Sequence, residues 1–135
     1  MIVVDTNLIA YLHLPSEHTA TAERVFRRDP DWAAPFLWRS EFRSVVLGTF
    51  RRGLLEVDDA KSIVASAESL MRGREFLTAS DAVLELALSS KSSAYDCEFV
   101  ALAAELDVPL VTNDRALRKA FPERVMSPEG FLGAA

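Results

Sequence analysis

Four acidic residues, Asp5, Glu41, Asp96 and Asp114, stand far apart in the chain, each at the edge of an expected element or on an apolar helical stripe. A carboxylate in such surroundings is costly unless something neutralises it. The simplest neutraliser common to all four is a shared divalent cation. Ligands made of oxygen alone select hard ions, so Mg²⁺ or Mn²⁺ suits this set better than zinc or copper. Such an ion polarises a phosphoryl oxygen, neutralises developing charge and lowers the pKa of a bound water. The chemistry indicated is hydrolysis of a phosphodiester by a metal-activated water. Carboxylates alone would repel that substrate.

The elements that must position these acids follow from the hydrophobic pattern. Asp5 ends the β-branched run of residues 1–4, which reads as a buried strand, and it falls where open α/β sheets build their sites. Asp114 repeats the arrangement after a second short apolar strand over 108–112, and a helix is expected from Arg115 to Phe121. Ser92 or Ser93 is placed to cap a helix whose apolar residues Phe99, Leu102, Ala103 and Leu106 step i, i+3, i+4, i+7, with Asp96 on the same stripe. Glu41 borders a similar face made by Phe42, Val45, Val46, Thr49 and Phe50 on a helix that ends at Gly53. Elsewhere a helix is expected from Thr6 to Leu14, a second capped by Ser16 and running to Arg28, and a brief strand over 32–34. A helix from Asp58 to Arg72, a short strand over 75–78 and a helix capped by Ser80 follow, and the tail over 125–132 adds one edge strand. Short strands alternating with helices predict an α/β domain with a parallel sheet.

At 135 residues the chain is expected to form one domain, residues 1–135, with no room for a second. Half the residues are hydrophobic and 26% are charged, which is globular rather than disordered composition. No apolar run approaches spanning length, and Asp5 interrupts the N-terminus where a signal peptide would carry a longer apolar core. A cytoplasmic protein with no membrane partner is therefore expected. Cys97 is the single cysteine, so an internal disulfide is excluded and core packing is its expected role. The net charge of −5 argues against broad binding to nucleic acid through an overall basic surface. A local contact remains open, because twelve of the fifteen basic residues are arginine, whose planar fork suits phosphate. The group of Arg115, Arg118 and Lys119, directly after Asp114, is where such contact is most expected. Trp32, Trp38 and Tyr95 are expected in the core, although each has a face on which a base could stack. His13 and His18 lack ligand spacing and read as structural.

Other catalytic schemes find little support. The five glycines form no phosphate-cradling loop, and no nucleophile elbow is present. Residues 4–7 approach the Asp-x-Asp opening of aspartyl-phosphate hydrolases, but Asn7 stands where the second acid belongs.

Four segments carry a resemblance: Val3 to Asn7 (Val-Val-Asp-Thr-Asn), Ser40-Glu41 on the third helix, Tyr95 to Ala103 (Tyr-Asp-Cys-Glu-Phe-Val-Ala-Leu-Ala), and Val111 to Arg115 (Val-Thr-Asn-Asp-Arg), with 36, 55 and 18 residues between successive acids. In this order and across nearly the whole chain they resemble a PIN-domain ribonuclease of the VapC toxin type. The resemblance implies a PIN-like fold, a short and mostly parallel central sheet flanked by helices. It implies that Asp5, Glu41, Asp96 and Asp114 are the catalytic and metal-binding acids, with Thr6, Asn7, Thr112 and Asn113 beside them as hydroxyl and amide groups at the cofactor site. The activity implied is a Mg²⁺- or Mn²⁺-dependent endoribonuclease acting on RNA. The partners implied are a cognate antitoxin protein and a second copy of the chain in a homodimer. From another functional class, a catalytically silent PIN-like module that binds a protein is the alternative. A phosphomonoesterase or a DNA nuclease using the same acids is the enzymatic one.

Overall fold

The computed structural model describes residues 1–133. Strand β1 (Ile2–Val4) leads into α1 (Thr6–His13) and α2 (Thr19–Arg28), then β2 (Trp32–Pro35), α3 (Leu37–Arg51) and α4 (Val57–Met71). Next come β3 (Glu75–Phe76), α5 (Ser80–Leu88), α6 (Ala94–Leu106) and β4 (Leu110–Val111), and the described chain ends with α7 (Arg115–Ala120), β5 (Val125–Met126) and α8 (Pro128–Gly133). The strands form one sheet in the order β3-β2-β1-β4-β5, and every neighbouring pair is parallel. The fold is thus the flanked, parallel α/β arrangement that the alternating pattern predicts.

The sheet order contains one reversal that matters for function. The chain moves outward from β1 through β2 to β3, then returns to the other side of β1 for β4 and β5. In such sheets the crevice at the carboxyl ends of the two strands flanking the reversal is left open by helices that depart in opposite directions. Here those strands are β1 and β4, paired with Val4 against Val111. The residues that emerge just beyond them lead directly to Asp5 and Asp114.

The core is built where the strands are apolar on both faces. Ile2, Val3 and Val4 are buried, as are Trp32, Ala33 and Ala34 on β2 and Leu110 and Val111 on β4. Helix α6 packs against β1, β2 and β4 and buries Cys97, Phe99, Val100, Ala101, Leu102 and Ala103. It is therefore covered around most of its circumference rather than along the single expected stripe, because α5 packs on its outer side through Val83. On α3, Phe42 and Val46 face the core while Phe50 reaches the surface.

An ion-pair lock fixes the start of α3. Arg39 donates from Nε to Glu75 Oε1 at 2.6 Å, from Nη2 to Glu75 Oε2 at 2.8 Å and from Nη1 to Glu68 Oε1 at 2.9 Å. Trp38 Nε1 donates to Glu75 Oε1 at 2.7 Å. Bidentate pairing of this kind fixes direction as well as distance, and it holds the Glu75 carboxyl below its ordinary range. Helix α3 is thereby tied to β3 and α4 two residues before Glu41.

Several boundaries differ from expectation. Helix α2 begins at Thr19: Ser16 instead accepts from the His18 amide at 3.0 Å in the turn after Pro15. Ser80 is the first residue of α5 rather than its cap, and Val57, not Asp58, opens α4. The tail contributes only the two-residue parallel strand β5 and then turns into α8, where Ser127 accepts from the Gly130 amide at 2.9 Å. Tyr95 is exposed rather than packed in the core. Trp32, Trp38 and Cys97 are buried. His13 Nδ1 lies 2.9 Å from the Ile9 carbonyl, in keeping with a structural role. Among the described residues, no helix is long and apolar enough to cross a membrane.

Candidate active site

The four acids meet at the reversal. Asp5, Glu41, Asp96 and Asp114 line one cleft of about 550 Å³, together with Thr6, Asn7, Ser44, Phe99 and Arg52. Each arrives by a different local rule. Asp5 caps α1, its Oδ1 accepting from the Leu8 amide at 2.9 Å. Asp114 caps α7, its Oδ1 accepting from the Leu117 amide at 3.0 Å. Asp96 lies in the first turn of α6, its amide donating to the Ser93 cap at 3.0 Å, so Ser93 rather than Ser92 starts that helix. Glu41 reaches in from α3 and accepts from Thr6 Oγ1 at 2.7 Å.

The hydroxyl and amide residues beside the acids divide into two kinds. Thr6 and Asn7 line the cleft. Thr112 lies behind it, fully buried, and its hydroxyl donates to Asp5 Oδ2 while accepting from the Asp114 amide at 3.0 Å. One hydroxyl thus ties the ends of β1 and β4 together and fixes the rotamer of Asp5. Asn113 lies beside the Tyr11 phenol at the rim.

The electrostatics of the cleft are those of acids lacking a counter-charge. Burial pushes the Asp5 carboxyl up to about 6, against the bonds from Thr112 and Leu8, and the charges of Asp114 and Glu41 push it the same way. Burial also raises Glu41, with Asp96 and Glu98 adding repulsion. Asp96 is raised by burial and then by Asp114. Among the described residues none of the four takes part in an ion pair. Three coupled carboxyls raised together are costly to the folded protein unless a cation offsets them.

Oxygen-only donors with this electrostatic deficit suit a hard divalent ion. As the side chains stand, no three histidine, cysteine or acidic residues among those described converge closely enough to hold a metal ion. Asp5 and Asp114 each spend an oxygen on a capping amide, and Glu41 accepts from the Thr6 hydroxyl. Asp5, with Thr112 holding one oxygen and Leu8 the other, is the most firmly placed.

Sequence reasoning missed Ser44, and it weighed Arg52 only among the arginines suited to phosphate, without placing it beside the acids. The signal was present, since Ser44, Gly48 and Arg52 lie three, seven and eleven residues after Glu41, a spacing that keeps all of them on one helical face at about 3.6 residues per turn. Arg115, where phosphate contact was most expected, is exposed and outside the cleft lining, while Arg52 lies within it.

Ribonuclease VapC3 of Pyrobaculum aerophilum is 29% identical over 127 residues, covering 92% of this chain and 97% of that protein. The crystal structure of FitAcB from Neisseria gonorrhoeae matches with a TM-score of 0.75 at 18% identity, covering 96% of this chain and 99% of that one. A toxin-antitoxin complex from Klebsiella pneumoniae matches with a TM-score of 0.68 at 17% identity, covering 95% of this chain and 98% of that one. These two structures share the fold. The family model for the PIN domain matches residues 2–121, a span that holds all four acids, and the chain belongs to the PIN-domain family.

Proposed function

We infer that this chain is a metal-dependent endoribonuclease and the toxin of a toxin–antitoxin pair, acting in the cytoplasm on RNA. The observation that carries the reading is the gathering of four acids, none of them ion-paired among the described residues, in one cleft at the sheet reversal. The likeness to a VapC ribonuclease over nearly the full length of both chains supports RNA as the substrate, and the fold shared with a toxin-antitoxin complex supports an antitoxin partner.

Asp5, Glu41 and Asp96 would hold Mg²⁺ or Mn²⁺, with Asp114 at the exposed edge of the set. A hard divalent ion there supplies Lewis acidity toward a phosphoryl oxygen and an acidified water. The chain's own residues do the rest. Thr112 and the Leu8 amide keep Asp5 in one rotamer, Thr6 aims Glu41 into the cleft, and Phe99 and Leu117 form an apolar floor that limits water. The raised carboxyls of Asp5, Glu41 and Asp96 make protons compete with the ion for these oxygens.

Expression without the partner is expected to arrest growth, and RNA from arrested cells should show new 5′ ends at a limited set of positions. Co-expression with the antitoxin should restore growth and remove those ends. Growth arrest with intact RNA would refute the nuclease, whereas new ends without arrest would refute the toxin.

The homodimer is proposed on a separate surface. Leu77, Leu84 and Tyr95 line one apolar patch at the junction of β3, α5 and α6, and Leu88, one turn beyond Leu84, is 85% exposed. A self-complementary contact between two copies would bury this face symmetrically. Light scattering at micromolar concentration should give twice the chain mass for the wild type and the single mass for Leu88→Glu. A wild-type monomer would refute the dimer.

A further inference from the structure

The acid cleft does not end at the acids. A second groove of about 410 Å³, lined by Tyr11, Leu14, Leu54 and Leu55 among others, shares Asn7, Val45 and Arg52 with it. The two are therefore adjacent, and Arg52 stands where they meet. Among the described residues, Arg52 is the only lysine or arginine lining either space.

Its position is unusual for a surface arginine. Among the described residues it makes no ion pair, and its one side-chain hydrogen bond runs from Nη2 to Thr49 Oγ1 at 3.3 Å. The guanidinium folds back along α3 over Gly48, where Nη1 would lie 3.8 Å from a Cβ at that position. A glycine in the interior of a helix is unfavourable, and here its bare surface leaves the path from Glu41 to Arg52 unobstructed. Beyond Arg52 the groove changes character. Its wall becomes aliphatic, and Tyr11 enters with its ring 4.6 Å from that of His18, tilted by 36°.

We propose that this groove is the subsite for the nucleotide next to the cleaved bond, with Arg52 gripping the neighbouring phosphate and the Tyr11, Leu14, Leu54 and Leu55 surface receiving a base of single-stranded RNA. The proposal rests on the nuclease reading above. Two features of the groove select this occupant. A guanidinium fork beside an acidic centre complements a phosphate one linkage away from the reacting one, and an apolar pocket with an aromatic wall accepts any base without reading its edges. A base-paired strand would have to unstack to enter, so the groove favours loops and ends.

The test uses a fluorescein-labelled oligouridylate ten-mer and anisotropy, with Ca²⁺ in place of Mg²⁺ to slow turnover, at several salt concentrations. Arg52→Ala should weaken binding about tenfold and lower the slope of log affinity against log salt by about 0.7, the value for one phosphate contact on a single strand. Arg52→Lys should keep the slope and recover only part of the affinity. Leu54→Ala, at a position 67% exposed, should weaken binding several-fold with the slope unchanged. A 4-thiouridine placed within the ten-mer should cross-link on irradiation to the peptide holding Tyr11, and Leu54→Glu should abolish that product. Thermal melts within a few degrees of wild type establish that the exposed-site variants fold. If wild type binds the ten-mer while Arg52→Ala and Leu54→Ala match it in affinity and slope, the groove serves another occupant, such as a partner's side chain, and the proposal is overturned with the nuclease intact. If the wild type neither binds nor cuts single-stranded RNA, both readings fail.

Discussion

Asp5→Asn and Asp96→Asn are each expected to lower RNA cleavage by on the order of a thousandfold in the presence of excess Mn²⁺, since each removes a charge that both holds the ion and offsets its neighbours. The substitutions are nearly isosteric and preserve local caps. An asparagine at position 5 still accepts from the Leu8 amide, and Thr112 can reverse its hydroxyl to accept from the new Nδ2. The loss should therefore appear in kcat/KM with metal-free melting unimpaired. Asp114→Asn should cost less, because Asp114 is exposed and spends one oxygen on the Leu117 amide. EDTA should stop the wild-type reaction. Wild-type rates in Asp5→Asn and Asp96→Asn would remove the assigned chemistry, and cutting of DNA in preference to RNA would move the substrate class.

Much of this site was legible before the coordinates because strands and caps are short-range signals. The β-branched run before Asp5 and the apolar pair before Asp114 each mark a strand end, and a parallel sheet places strand ends at one edge. Ser93 announces α6 and with it the turn that carries Asp96. What the sequence left open was pairwise: nothing local says that β1 sits between β2 and β4, that Thr112 bonds Asp5 across 107 residues, or that Arg39 selects Glu75 and Glu68. The misplaced starts of α2 and α5 share a cause. Serine is as content in a turn, bonding a nearby amide, as at a helix cap, and only the surrounding packing chooses. The tail failed for a related reason, since a parallel edge strand of two residues leaves no alternation to read, and α8 follows it through the Pro128 start that favours a helix. Arg52, one of many arginines suited to phosphate, is placed by the helical period: eleven residues beyond Glu41 it returns to the same face.

Without metal, the raised carboxyls should cost the wild type stability as pH rises from 4 to 7, and Asp5→Asn should remove the Asp5 share of that loss. The direction follows from the raised carboxyl. A group whose folded pKa is about 6, against 3.8 for the free side chain, adds stability that is complete below the lower value and is lost as pH rises through the higher one. For Asp5 alone that loss is on the order of 3 kcal/mol, and the raised Glu41 and Asp96 carboxyls act in the same sense. In EDTA at pH 7, Asp5→Asn should therefore melt above the wild type, while near pH 4 the two should coincide. Mn²⁺ should invert the order. An ion that binds only the folded state adds about 2.7 kcal/mol at a hundredfold excess over Kd, and the wild type should show that shift at pH 7 while losing most of it at pH 5, where protons hold Asp5. The variant should respond weakly at both. Equal Mn²⁺ shifts in the two proteins would place the ion elsewhere. A large loss of metal-free stability in Asp5→Asn would mean that the bonds from Thr112 and Leu8 outweigh burial and repulsion, leaving the fold no electrostatic reason to take up a cation at this carboxylate.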